Sequence, residues 1–211
     1  MIKSKLHGLY AITDATLMAH NFADAVESTL QGGSRIIQYR DKSNDTDKRL
    51  QQALTIRRLC DQYRALFIIN DDIELALSSN ADGVHLGKDD QHIKVAREQL
   101  GERKIIGVSC YNQLQLAIDA EQAGADYVAF GAFFSSSIKP DASNAPLSLI
   151  RQAKAQIKVP VCCIGGITAL NGGELIAAGS DMLAVISDIF KPVNEVQNIE
   201  LSSRCISQLF S

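Results

Sequence analysis

Short apolar runs rich in β-branched residues alternate with longer stretches of helical periodicity along nearly the whole chain. The runs predict strands at Gly8–Thr13, Ile36–Arg40, Leu66–Asn70, Gly83–Gly87, Ile105–Ser109, Tyr127–Gly131, Val159–Gly165 and Met182–Ser187. The stretches between them predict helices at Asn21–Gln31, Thr46–Tyr63, Ile73–Ser79, Gln91–Leu100, Gln113–Ala123, Leu147–Ile157 and Leu170–Ala178, with a last one near Glu195–Leu209. That is eight strands and eight helices in strict alternation.

Strict alternation implies parallel strands joined by helical crossovers, and eight repeats suggest an α/β fold closed into a (β/α)8 TIM barrel. The strand runs are apolar throughout, as burial on both faces requires. Glycine stands where helices should stop, at Gly32-Gly33, Gly101, Gly124 and Gly179. An open doubly wound sheet is the rival, but Thr13-Asp14-Ala15 follows the first strand in place of a Gly-x-Gly-x-x-Gly turn. No linker or low-complexity tract divides the chain. The expectation is one domain over residues 1–211, with a barrel core at about 8–190 and a C-terminal helix.

Composition narrows the class without choosing a function. Of the 211 residues 46% are hydrophobic, enough for a sizeable core. A net charge of −3 argues against a nucleic-acid partner, which usually meets a basic face. The N-terminal Met1-Ile2-Lys3-Ser4-Lys5 lacks a signal-peptide core, and no apolar run is long enough to span a membrane. Cys60, Cys110, Cys162, Cys163 and Cys205 form no Cys-x-x-Cys pair; they read as reduced residues of a cytoplasmic protein. Oligomeric state is left open, a homo-oligomer being compatible with the sequence.

In such a barrel, chemistry gathers at the C-terminal strand ends. Gln38, Arg40 and Lys42 alternate where the second strand leaves the core, so an extended backbone would project them to one side as an anion site. Asp71 after the third strand and Asp90 after the fourth suggest Mg²⁺ beside phosphate, although each could instead cap the helix that follows. Gly165-Gly166 and Ser187, at the seventh and eighth strand ends, fit a second phosphate site built of backbone N–H and hydroxyl groups. Ser135-Ser136-Ser137-Ile138-Lys139 after the sixth strand reads either as a hydroxyl-rich cover bringing Lys139 to an anion or as an ordinary solvated loop. His85 points into the barrel by parity and reads as a satisfied core residue. Two phosphorylated small molecules meeting in one cleft is the natural reading.

These motifs resemble the thiamine phosphate synthase family from about Leu9 to Ile189. The pieces are Leu9-Tyr10-Ala11-Ile12-Thr13-Asp14, Gln38-x-Arg40-x-Lys42, Ile69-Asn70-Asp71, Ala81-Asp82-Gly83-Val84-His85-Leu86-Gly87, Ile106-Gly107-Val108-Ser109, Gly124-Ala125-Asp126-Tyr127, Ile164-Gly165-Gly166-Ile167 and Ala184-Val185-Ile186-Ser187. The resemblance implies a barrel that joins an aminopyrimidine methyl diphosphate to a thiazole phosphate, releasing pyrophosphate with Mg²⁺. It implies pyrimidine diphosphate binding by Gln38, Arg40, Lys42, Asn70, Ser109 and Lys139, with Arg40, Lys42 and Lys139 catalytic. Asp71 and Asp90 would hold Mg²⁺, and Ser136, Ser137, Ile138, Gly166, Ile186 and Ser187 would line the thiazole phosphate site.

One region departs from the family pattern. Where the family usually reads Gly-Pro-x-Phe-x-Thr-x-Thr-Lys, this chain has Gly131-Ala132-Phe133-Phe134-Ser135-Ser136-Ser137-Ile138-Lys139. A threonine hydroxyl is thereby lost at Ile138. A thiazole tautomerase on the same barrel is one alternative; it is expected to carry a histidine near position 132, and no histidine follows His92. A degenerate, non-catalytic ligand-binding barrel is the other.

Overall fold

The computed structural model describes residues 2–18, 21–87, 93–135, 145–190 and 196–211. Eight parallel strands form a closed barrel in sequence order: β1 (Gly8–Ile12), β2 (Ile36–Tyr39), β3 (Leu66–Asn70), β4 (Gly83–Leu86), β5 (Ile105–Tyr111), β6 (Tyr127–Phe130), β7 (Val161–Ile164) and β8 (Met182–Val185). Around it stand α1 (Phe22–Gln31), α2 (Thr46–Tyr63), α3 (Ile73–Ser78), α4 (Ile93–Leu100), α5 (Leu114–Gln122), α6 (Leu147–Gln156), α7 (Gly172–Ala177), α8 (Ser187–Phe190) and α9 (Val196–Ser207). The expected helix starts at Gln91 and Glu195 lie outside the described residues. The strict alternation needs one correction. A short helix, α8, follows β8 directly, because the backbone turns at Ile186 and the N–H groups of Ile189 and Phe190 donate back to the Ile186 carbonyl.

Strand parity divides the apolar residues into two cores. Tyr10, Ile12, Ile36, Leu66, Ile68, Ile105, Tyr127, Cys162, Met182 and Ala184 fill the barrel interior. Leu9, Ala11, Ile37, Phe67, Val84, Ile106, Val128, Cys163 and Leu183 pack outward among the helices. Burying both faces explains why the strands read as unbroken apolar runs. Cys162 and Cys163 accordingly take opposite faces.

At the N-terminal end a repeated clasp joins neighbouring strands. Asp82, Asp126 and Asp181 each stand just before an even-numbered strand. Their backbone N–H groups donate to the carbonyls of Phe67, Ile106 and Val161 at 2.7, 2.7 and 2.8 Å. Their carboxylates accept from the N–H groups of those same three residues. Arg57 on α2, Arg97 on α4 and Lys154 on α6, each from the helix that precedes the odd-numbered strand, complete the clasps at 3.0, 2.7 and 2.8 Å. Polar residues at this end therefore hold the barrel together, which leaves the other rim for chemistry.

Candidate active site at the C-terminal rim

Gln38 is the last inward-facing residue of β2 and is almost wholly buried. Its Nε2 donates to the Tyr10 hydroxyl at 2.7 Å. The strand ends at Tyr39, so Arg40 and Lys42 lie beyond it and not on an extended strand as their alternation suggested. Arg40 keeps inward parity as the first residue past the strand and is half-buried. Thr13 holds it there: the Thr13 N–H donates to the Gln38 carbonyl, and its Oγ1 accepts from the Arg40 N–H, both at 2.9 Å. Lys42 is exposed. Between the two cations, Asp41 accepts from Lys48 Nζ at 2.8 Å and from the Ser43 N–H at 2.7 Å. Burial raises its pKa, but these bonds outweigh burial and hold the group at about 2.

Asn70 closes β3 and pairs in register with His85. Its Nδ2 donates to Asp71 Oδ2 at 2.6 Å. Asp71 has φ of 65°, a left-handed conformation that Asp adopts more readily than most residues. It does not cap α3. That role belongs to Asp72, whose Oδ1 accepts from the Leu75 N–H at 2.8 Å while Oδ2 pairs with Arg49 at 2.7 Å. The capping alternative for Asp71 is thus removed, and its carboxylate stands at the rim beside Asn70. No group of three or more His, Cys, Asp or Glu side chains suited to a metal occurs among the described residues. Asp90 lies outside them.

Ser109, on β5, is half-buried, and its Oγ lies 2.9 Å from His85 Nε2. Across the barrel, β7 ends in the Gly165-Gly166 turn. The segment after β6 runs alongside it, with Phe133 N–H donating to the Ile164 carbonyl and Phe134 N–H to the Gly165 carbonyl at 3.1 and 3.0 Å. Gly166 has φ of 61°, and a Cβ there would sit 2.6 Å from the Ser135 carbonyl oxygen. Only glycine fits so close a backbone approach. This packing carries the chain to the rim at Ser135. Ser136, Ser137, Ile138 and Lys139 lie outside the described residues. Ile186 and Ser187 join β8 to α8, with Ser187 as the first residue of that helix.

The rim thus unites Gln38, Arg40, Asn70, Asp71 and Ser109 on one side with Gly166, Ile186 and Ser187 on the other; Lys42 stands outside at its edge. Two groups at this end were missed in the sequence, Tyr10 and Tyr127, fully buried beneath Gln38 and Ser109; Thr13 stood in the motif at the first strand end without a role. Two tyrosines at inward parity carried a signal, since a buried phenol needs a partner. A cleft of about 390 Å³ opens at the opposite end, lined by His7, Arg35, Arg204 and Phe210 among others. It lies where α9 meets the barrel floor, far from these strand ends.

The model of the thiamine monophosphate synthase family matches residues 9–189. A thiamine-phosphate synthase of Thioalkalivibrio sulfidiphilus is 49% identical over 187 residues, covering 88% of this chain and 89% of its own. One from Alcanivorax borkumensis is 48% identical over 207 residues, 98% and 95% of the two chains. The solved structure of a thiamine phosphate pyrophosphorylase from Pyrococcus furiosus superposes with a TM-score of 0.88 at 34% identity, covering 100% of this chain and 98% of that one. The match covers every strand of the barrel and both sides of its rim, and the chain belongs to the thiamine monophosphate synthase family.

Proposed function

We propose that this protein is a thiamine-phosphate synthase, a transferase that couples an aminopyrimidine methyl diphosphate to a thiazole phosphate and releases pyrophosphate. The observation that carries the assignment of roles is the shared rim. Polar groups from the ends of β1, β2, β3 and β5 face the glycine turn of β7 and the start of α8 across one mouth. Arg40 and Lys42, joined by Lys139, act on the diphosphate. Gln38, Asn70 and Ser109 receive the pyrimidine. Gly166, Ile186 and Ser187 anchor the thiazole phosphate with Ser136, Ser137 and Ile138, the start of a short helix after the eighth strand being suited to an anion. Asp71 and Asp90 would hold Mg²⁺. An all-oxygen pair suits that ion, which needs only one or two protein carboxylates when substrate phosphate and water complete its shell.

The chemistry requires no protein nucleophile. Cleavage of the bond between the pyrimidine methylene and the diphosphate oxygen leaves a cation that the amino-substituted ring stabilises. Arg40, Lys42 and Lys139 offset the negative charge gathering on the departing diphosphate. Mg²⁺, when bound, supplies further positive charge to that leaving group. Gly166 and Ser187, holding the second phosphate, keep the thiazole nitrogen in line for attack on the methylene carbon. Purified protein given both substrates should form thiamine phosphate and pyrophosphate when Mg²⁺ is present and lose that activity on chelation. Absence of product with intact substrates at high enzyme concentration would refute the assignment.

A further inference from the structure

A continuous chain of hydrogen bonds crosses the barrel interior beneath the rim. Gln38 Nε2 donates to the Tyr10 oxygen at 2.7 Å. The Tyr10 and Tyr127 hydroxyls are 2.8 Å apart, Tyr127 lies 2.8 Å from His85 Nδ1, and His85 Nε2 lies 2.9 Å from Ser109 Oγ. The Tyr127 ring stacks on His85, with centroids 5.5 Å apart. Gly107 makes room for it, since a Cβ there would lie 2.0 Å from Tyr127 Cζ. Burial raises the pKa of both phenols far above the ordinary range, so each keeps its single proton.

One proton per hydroxyl gives the chain a direction. The Tyr10 oxygen accepts from Gln38, so its own proton goes to Tyr127. Tyr127 in turn donates to His85 Nδ1, which places the proton of a neutral imidazole on Nε2, where it is donated to Ser109 Oγ. Gln38 is left with its Oε1 acceptor to offer a ligand, and Ser109 with its hydroxyl proton. We propose that this buried chain selects the heteroaromatic half of the substrate: Tyr10, Tyr127 and His85 are positioning residues that hold Gln38 as an acceptor and Ser109 as a donor. The matching ligand presents an amino donor at one edge and a ring-nitrogen acceptor at another. This rests on the pyrimidine placement proposed above. It adds that the two contacts are coupled, because reversing one end requires reversing every proton between them.

The test uses the whole protein in two measurements. In the unliganded protein, ¹⁵N NMR of His85 is expected to show the Nε2–H tautomer; the Nδ1–H tautomer would overturn the proposed direction. Calorimetric binding then compares the aminopyrimidine diphosphate with its 4-oxo counterpart, whose exocyclic group accepts instead of donating. Wild type should prefer the amino compound, and Tyr127→Phe should erode that preference at least about tenfold, as expected when a polar match ceases to be enforced. Affinity for inorganic pyrophosphate should stay within about twofold, because the cations at the rim are unaltered. Tyr10→Phe cuts the same chain one link earlier and replaces Tyr127→Phe if that variant does not fold. Wild-type discrimination retained by a folded variant would sink the coupling alone. Wild-type protein that binds pyrophosphate but neither pyrimidine ester would sink the functional assignment, and the ligand selection with it.

Discussion

Thr13 and Arg40 are joined end to end across two strands: the Arg40 backbone N–H donates to Thr13 Oγ1 at 2.9 Å, beside the bond from Thr13 N–H to the Gln38 carbonyl. The first cation past the end of β2 is therefore placed by a hydroxyl just past the end of β1. Thr13→Val keeps the shape and removes the acceptor. It is expected to lower kcat several-fold, in keeping with about 1 kcal/mol for one hydrogen bond. The melting temperature should fall by only a few degrees. A change in stability with kinetics intact would show that the bond serves the fold alone.

Arg40→Ala separates binding chemistry from folding in the opposite sense. The side chain is half-buried at the rim, outside both apolar cores. Turnover is expected to fall at least about a hundredfold, the scale for removing one group that stabilises developing charge. Thermal stability should stay near wild type. Parallel loss of both would make Arg40 a structural residue.

Gly166→Ala probes the second phosphate site. The residue occupies a left-handed conformation and sits against the Phe134 and Ser135 carbonyls, with no room for a methyl group. Strain of about 1–2 kcal/mol from the backbone alone would raise the KM for thiazole phosphate about tenfold. The KM for the pyrimidine diphosphate should change little, which steady-state kinetics with each substrate varied in turn would reveal.

Asp126→Ala opens one of the three clasps at the far end of the barrel. It leaves Arg97 and the buried Ile106 N–H without their shared acceptor, a loss of about 3 kcal/mol. Asp181→Ala should cost less, because its side chain is 28% exposed against 8% for Asp126. Urea unfolding gives both values, and activity per folded molecule should be unchanged.

Asp41 supplies a pH dependence whose sign is determined by its depressed pKa. Held at about 2 instead of 3.8, its carboxylate stabilises the folded state most fully above its unfolded value. That contribution fades as pH falls through the folded value. The stability gap between wild type and Asp41→Asn should be full near neutrality and close between about pH 4 and pH 2. A gap that persists at pH 2 would mean the side chain acts through packing alone.

Much of this architecture was legible because strand parity and helix period are local properties. All eight strands were readable from apolar runs, and α2 spans Thr46–Tyr63 as its pattern implies. Short elements and side-chain partners were not. α8 has four residues, too few for a period to register. Asp71 and Asp72 are adjacent carboxylates with equal claims to cap α3, and only the backbone turn at Asp71 decides between them. The alternation of Gln38, Arg40 and Lys42 was real, but the strand stops at Tyr39, leaving Lys42 exposed.

By itself, the sequence determined the barrel, the rim on which polar residues gather and the residue types offered to two anions, since these follow from periodicity and strand order. The tertiary structure alone decided which groups meet across the barrel. Tyr10 and Tyr127 are 117 residues apart in the chain, yet their hydroxyls share a proton bond only because closure brings β1 and β6 to face one another across the interior. His85, which read as a satisfied core histidine, is indeed satisfied at both ring nitrogens, by Tyr127 on one side and Ser109 on the other. No local pattern encodes such partners, because they are chosen by the geometry of a closed sheet.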